Sequence, residues 1–469
     1  MHRATKQRAT KPLQDPHFPA PARLGAMLHR LAGWLPESDV SVATLASGLI
    51  RIAVTVLLLA NTVVLGRLLG AEGFGIYSLV FAMVGFTALP LNFGLSTLAL
   101  RDVSALSARK QWNELTGFIR FALLVIVLYA AVVALVAATA WPLFAWQTSP
   151  ILLATLSIGL ILLPFHAAGE VLGAVLRALG RVVTGQLPDL LLKQALLLAL
   201  LAVVVATLGS TWLTPSRALT LLLAAAVLAT MVAVLVLARS TPLEAWHGGT
   251  MLPLRDGLRR WLPLALLGIM QGANLHTDVL MLGLLADPTA VGVYRVATQC
   301  SLLVAFNIAV FGPVIGPHVA RLHARGDKAA VQRLVGWAAR CIFAAACPVF
   351  IVLVLFGTSI LGFFGSDYQA GGTALAILAT GQLVNASTGA AGLVLNVTGH
   401  ERDTMLAVAV AAATTVVGSL ILVPPLGLLG SAMATALSLT LSNVILLQRL
   451  YMRTGLVSFA FPLPLRSAS

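Results

Sequence analysis

Charge is what this chain has least of. Asp, Glu, Lys and Arg together make up 10% of the residues and hydrophobic residues 59%, with a mean hydropathy of +0.96. Soluble globular chains carry about a quarter charged residues, so a soluble domain is excluded and a membrane protein is implied. Cysteine is nearly absent too: Cys300, Cys341 and Cys347 all fall in or beside apolar runs and offer no even-numbered disulfide framework, so they read as packing residues. Residues 1–43 lack the early apolar core of a signal peptide; with Arg3, Lys6, Arg8, Lys11, Arg23 and Arg30 among prolines and histidines, they read as a basic, mostly disordered arm. Bond-making motifs are missing as well. There is no HExxH, no Cys/His set at metal spacing, no strand-linked glycine-rich phosphate loop and no nucleophile at a recognisable interval from a base. An enzyme is not expected, nor a cofactor or metal.

What is there is a succession of apolar runs near the ~20 residues that cross a bilayer as a helix. They fall at about 44–66, 74–99, 118–140, 151–173, 186–208 and 216–238, then at 262–285, 290–313, 336–356, 372–396, 404–424 and 428–449. The expected fold is an all-α polytopic membrane protein of about twelve transmembrane helices. Its expected parts are a tail (1–43), a six-helix lobe (44–238), a Gly/Pro-punctuated linker (239–261), a second six-helix lobe (262–453) and a tail (454–469).

The two sets of six are related. LGRLLGAEGFGIY (Leu65 to Tyr77) returns as LGLLADPTAVGVY (Leu282 to Tyr294), with Leu65, Gly66, Leu68, Gly75 and Tyr77 recurring at a spacing of 217 residues. DVSALSAR (Asp102 to Arg109) matches HVARLHAR (His318 to Arg325), and GAVLRALG (Gly173 to Gly180) matches GLVLNVTG (Gly392 to Gly399), in the same order. One half is written twice, which predicts two lobes related by a pseudo-two-fold axis.

The net charge of +14 does not form the single basic patch of a nucleic-acid binder, and no nucleic-acid partner is expected. Lys and Arg are dealt out to both tails and every second loop, while the alternate loops hold only Arg67 and Arg217. The positive-inside rule then predicts that both termini and the even-numbered loops are cytoplasmic. External connections are short, so function is sought among the helices.

Ionisable side chains in a bilayer are costly and mark function. Arg51 lies two turns into the first span with Thr55, Asn61 and Thr62 beyond it; a polar stripe ending in a cation and an Arg snorkelling to the interface both fit that spacing. Gln271, Asn274 and Asp278 share one face of the seventh span at i, i+3 and i+7, with Asp278 217 residues after Asn61. Gly268 and Gly272 allow that helix to bend, and His276 reads as a hydrogen-bonded packing residue. Arg295, with Thr298 and Gln299, gives the eighth span a cationic face at the depth of Asp278, which predicts an ion pair closing the external mouth. Gln382, Asn385 and Thr388 extend the polar character into the tenth span. Glu170 and the i, i+4 pair Asp189 and Lys193 fit interface anchoring as well as function, and Arg120 and Arg340 read as anchors of the third helix in each half.

The segments RLLGAEGFGIYSLVFAMVGF (Arg67 to Phe86), LNFGLSTLALRDVSAL and RALGRVVTGQLPDLLLK (Arg177 to Lys193) resemble the polysaccharide-transporter branch of the multidrug/oligosaccharidyl-lipid/polysaccharide exporter (MOP) superfamily. The resemblance covers about Thr44 to Arg453. It implies lobes around a central cavity that opens to either side alternately, in a bacterial inner membrane. It also implies a flippase for undecaprenyl-diphosphate-linked oligosaccharide, serving O-antigen or exopolysaccharide synthesis beside a polysaccharide polymerase and export machinery. Cavity arginines would bind the diphosphate: Arg51 and Arg295 first, Lys193 less well. Asn61, Gln271 and Asn274 would line the substrate path, and Asp278 and Glu170 would serve as gate or ion-coupling groups. A cation or drug antiporter of the same superfamily is the alternative; a membrane glycan polymerase or ligase would need a large charged external loop, which this chain lacks.

Overall fold

The structure, a computed structural model, describes residues 39–144, 149–242 and 252–461. The basic arm to residue 38, the middle of the expected linker and the end of the C-terminal tail lie outside the described residues. The chain divides into two compact units, Met1–Leu45 and Ala46–Ser469; of the first, the described part is the start of a helix at Asp39.

Everything else described is helix and short connection, with no strand among the described residues. The first half comprises α1 (Asp39–Leu89), a π-helical turn (Pro90–Leu95), α2 (Ser96–Ala108), α3 (Trp112–Phe144), α4 (Pro150–Ala178), α5 (Val182–Gln186), a second π turn (Leu187–Leu192), α6 (Lys193–Leu208) and α7 (Pro215–Ala238). The second comprises α8 (Leu254–Gly272), α9 (Thr277–Leu285), α10 (Pro288–Ala324), α11 (Lys328–Gly362), α12 (Gly372–Ser387), α13 (Ala391–Val397), α14 (Glu401–Leu426) and α15 (Leu428–Thr454). Each π turn has a proline in its first two residues, Pro90 and Pro188, whose missing N–H is absorbed by the wider turn.

Nine helices among the described residues are long and apolar enough to cross a membrane. Every expected span falls on helix, but three do not count separately. The first two run together because α1 bends at Gly70 (φ 67°) without losing its helical label. The seventh is cut between α8 and α9 by a 3₁₀ turn, Ala273–Leu275, and the tenth is cut at Gly389 (φ 62°) between α12 and α13. Hydropathy registers apolar length and is blind to such breaks. It also stops at the polar interface, so α8 begins at Leu254 and takes Arg255, Arg259 and Arg260 out of the expected linker.

The duplication is visible in the backbone. Arg109 and Arg325 cap α2 and α10 with nearly the same angles (φ −87°, ψ −2° and φ −84°, ψ −5°), each followed by a residue at positive φ, Lys110 (57°) and Gly326 (72°). Leu179–Gly180 and Thr398–Gly399 end α4 and α13 in the same way, both glycines at φ 80°. The two repeats of the central motif meet each other: a Cβ on Gly75 would overlap the carbonyl oxygen of Pro288, and one on Gly292 would overlap that of Ala71. The contact is reciprocal at the 217-residue spacing, as a two-fold axis between the glycines requires.

Loops gather at two ends. At the basic end, Ser104 Oγ donates to Ala178 O (3.3 Å), Arg453 and Arg449 pair with Asp403 (2.9 and 3.4 Å), and Arg260 of the second half reaches Asp102 of the first (3.6 Å). Here too the chain beyond α15 turns back into the protein. Gln332 Nε2 donates to Val457 O and Val457 N–H donates to Gln332 Oε1 (both 2.8 Å). Ser458 Oγ then donates to Thr388 O (2.7 Å) and Ala460 N–H to Ser387 O (2.9 Å). Those carbonyls are the ones the break in the tenth span leaves without helical partners, so this strap closes the hydrogen bonding that a bilayer would not supply. At the opposite end, Tyr368 Oη donates to Gly66 O and Gly70 O (3.1 Å each), Arg67 Nε donates to Phe363 O, and Arg217 lies 4.5 Å over the Trp212 ring.

Candidate functional site

The three hydrophobic cores show where the interior is closed. The largest lies toward the opposite end and mixes both halves, bringing Leu65, Phe74, Tyr77 and Val80 together with Leu282, Val291, Tyr294 and Tyr368. Toward the basic end there are two separate cores, one around Phe121, Val171 and Leu176, the other around Val319, Val335 and Leu450. Of the second half, only α8 joins the former: Trp261 Nε1 donates to Pro90 O (3.1 Å), and Gly94, Gly268 and Gly272 let α8 lie directly on the π turn. Gly268 and Gly272 thus serve close packing rather than bending, and the break follows them. Arg51 on α1 is exposed, and a Cβ on Gly312 of α10 would meet no described atom within 4 Å. The halves thus share a core toward the opposite end and keep separate cores toward the basic end.

Arg295 lies on α10 beside that shared core. Asp287 caps α10 by accepting from Ala290 N–H (2.7 Å), Pro288 starts the helix, and Arg295 follows three residues after the Gly292 contact. It is half-buried, and no hydrogen bond or ion pair holds its guanidinium among the described residues. Its charge acts on Tyr77 of the first half and on His276 and Asp278 of the second.

The expected Asp278–Arg295 ion pair does not form. Asp278 is buried, with Oδ2 accepting from Tyr294 Oη (2.9 Å) and Oδ1 from Val279 N–H (2.8 Å); the Tyr294 oxygen also lies 2.9 Å from Thr435 Oγ1. Consecutive residues on a helix point about 100° apart, so with Tyr294 turned to Asp278, Arg295 turns away. Tyr294, the repeat partner of Tyr77, stands in the motif, but sequence spacing alone does not pair it with the carboxylate.

The shared face of Gln271, Asn274 and Asp278 is also lost, because the 3₁₀ turn interrupts the helical period between them. Gln271 is exposed, and Asn274 Nδ2 donates to Val408 O on α14 (3.0 Å). Asn61 behaves alike in the first half, donating to Gln194 O on α6 (3.0 Å). Each half therefore ties its first helix to its fifth through an asparagine amide, and in both the other amide oxygen is buried without a partner.

Lys193 is not a free cation. Its Nζ lies 2.6 Å from Asp189 Oδ1 where the second π turn meets α6, with the two side chains 8% and 13% exposed. Glu170 and Arg177 on α4 lie within Coulombic range of that pair, making a charge-balanced cluster. Among the uncharged groups of the tenth span, Thr388 Oγ1 donates to Asn443 Oδ1 (2.6 Å) and Asn385 Nδ2 to Gln382 Oε1 (3.4 Å), bridging helices and turns. A cavity of about 410 Å³ between α1, α3 and α4 is lined by groups such as Val80, Val133, Leu153 and Leu163 and holds no charged residue, so it is distinct from the Arg295 site.

Two repeated helical halves joined through a shared core are the fold of MOP-superfamily transporters. The chain superposes on an inward-facing multidrug-resistance MATE transporter with a TM-score of 0.72 (14% identity, covering 87% of this chain and 98% of that one). It superposes on the lipid II flippase MurJ, in an inward closed conformation, with 0.67 (13% identity, 87% of each chain). A MOP transporter from Pyrococcus furiosus, whose reversed pocket polarity suggests a different function, gives 0.60 (15% identity, 89% and 96%). No curated protein matches the chain in sequence. The profile of the family described as "Polysaccharide biosynthesis protein" matches residues 40–323, more than half of the chain, and the chain belongs to that family.

Proposed function

We propose that this protein is a flippase that carries a polyprenyl-diphosphate-linked oligosaccharide across a bacterial inner membrane by alternating access, from the basic, cytoplasmic face to the periplasmic one. The observation that carries the reading is the unpaired Arg295 guanidinium, three residues past the Gly75–Gly292 contact, in a chain of the polysaccharide biosynthesis family; the reading sets it at the end of a cleft open to the basic face. An arginine there presents several donors to an anionic head through charge-assisted bonds. Arg51, exposed near the mouth of the same cleft, receives the head first; the sugars occupy the cleft and the polyprenyl tail stays in lipid. The lobes are taken as 44–238 and 262–453, joined by 239–261, and rocking of one on the other moves the opening.

Each negative charge that moves outward gains roughly 2.3 kcal/mol per 100 mV of inside-negative potential, so the head supplies part of its own drive. Lys193 is assigned to holding Asp189 rather than to substrate. An ion-coupled antiporter is the second reading, favoured by the buried carboxyl of Asp278 and by the Glu170–Asp189 cluster. Deleting the gene separates the two. The flippase reading expects a lipid-linked oligosaccharide to accumulate, accessible only from the cytoplasmic face, with drug sensitivity unchanged; drug hypersensitivity without that lipid favours the antiporter.

A further inference from the structure

Two histidines meet on one strip of α1, one of them beside Arg295, and neither imidazole makes a hydrogen bond among the described residues. His276 lies in the break between α8 and α9, against Gly85 of α1: a Cβ added to Gly85 would come within 2.5 Å of ring atoms Cε1 and Nε2. His166 on α4 meets the Phe81 ring edge-on, at 5.9 Å between centroids. Phe81 and Gly85 are one turn apart on the same face of α1, so both imidazoles rest on one strip of that helix, and each lies within Coulombic range of the other. The remaining charges near them are Arg295 beside His276, and Lys193 and Asp189 beside His166.

Among the described residues, neither imidazole and no nitrogen of Arg295 makes a hydrogen bond, and all three side chains are half-buried. The acids nearby are already engaged, Asp278 by Tyr294 and Val279, and Asp189 by Lys193. The region therefore holds two imidazole N–H groups and a guanidinium without hydrogen-bond partners, an arrangement that is costly until something supplies oxygen atoms.

We propose that His166, His276 and Arg295 form a clamp for a multi-oxygen anion of the phosphate type, with the two histidines approaching from opposite halves. This rests on the flippase reading and names two positioning contacts for its diphosphate. A ligand held by both halves stabilises their closed approach, so occupancy favours the arrangement from which rocking begins. The glycine at position 85 makes room for the His276 ring, and position 85 is thus a specificity-determining place that carries no chemistry of its own.

The test uses the full chain purified into lipid nanodiscs and titrated with farnesyl diphosphate, farnesyl monophosphate and free pyrophosphate. Wild type is expected to prefer the diphosphate lipid over the monophosphate. His276→Gln, His166→Gln and Gly85→Ala are each expected to weaken diphosphate binding about tenfold, the loss of roughly one hydrogen bond to a charged group, and to narrow that preference. Gly85→Ala alters no titratable group and keeps the test alive should a histidine variant not fold, which size-exclusion and melting profiles report. If the three variants bind as wild type does while Arg295→Gln loses binding, the clamp is overturned and the flippase reading stands. Equal affinity for free pyrophosphate keeps the clamp and sinks the lipid-head assignment. A wild type that does not distinguish farnesyl diphosphate from farnesyl monophosphate overturns both.

Discussion

Substituting Gly292 by Ala sets the sealed end of the molecule against the cleft. In the closed arrangement the added methyl would overlap the carbonyl oxygen of Ala71, a backbone atom that no rotamer change can move away. Helices α1 and α10 must separate by on the order of 1 Å at that point, and overpacking of this kind costs typically about 1–3 kcal/mol. The cost falls on the state in which Gly75 and Gly292 touch and is relieved when the seal opens. Because about 1.4 kcal/mol is a factor of ten, the balance shifts toward the outward-open state by roughly five- to more than a hundredfold. The assay is accessibility of a cysteine at position 295, in a background lacking Cys300, Cys341 and Cys347, to an impermeant maleimide added from the opposite face. Labelling of Gly292→Ala is expected to rise well above that of the parent, and Gly75→Ala, its partner across the axis, to act the same way. Unchanged labelling in both folded variants would refute the argument that this crossing is the seal.

Three further outcomes follow from buried polar contacts. Lys193→Ala leaves the Asp189 carboxylate without its partner and is expected to cost about 3–5 kcal/mol, whereas Lys193→Met with Asp189→Leu costs much less; thermal unfolding in detergent compares them. Tyr294→Phe removes one donor from the buried Asp278 and lowers stability by roughly 1–3 kcal/mol, while Tyr77→Phe at the repeat position, where no carboxylate is bonded, costs less. Gln332→Ala removes both hydrogen bonds that hold the strap at Val457, for about 1–3 kcal/mol in all, and hydrogen exchange is expected to rise at Ser387 to Ala391 before it rises elsewhere.

The low charge and the apolar runs were enough to read an all-α membrane fold from the sequence, and the repeated motif to read two related halves, because Gly75 and Gly292 carry their close approach and Arg109 and Arg325 the same helix end. The Asp189–Lys193 pair was legible as an i, i+4 spacing, though not its burial. What escaped depends on backbone departures that composition does not encode. The turn at Ala273–Leu275 dissolved the polar face of Gln271, Asn274 and Asp278, and placed His276 against Gly85 instead of in a helix wall. Arg295 and Tyr294 are neighbours in sequence, and only the direction of one helix face decides which of them meets Asp278. The strap from Val457 to Ala460 carries no signal of its own, since its role is set by carbonyls exposed about seventy residues earlier at the break.

The central claim is that an unpaired guanidinium at the closed end of the cleft carries an anionic lipid head across. Reconstitution of the purified chain in liposomes with a fluorescent polyprenyl-diphosphate glycan, read by quenching of the outer leaflet, tests it most directly. The account predicts exchange between leaflets with wild type, partial exchange with Arg295→Lys and none above protein-free liposomes with Arg295→Gln. Exchange at the wild-type rate by a folded Arg295→Gln protein would contradict it.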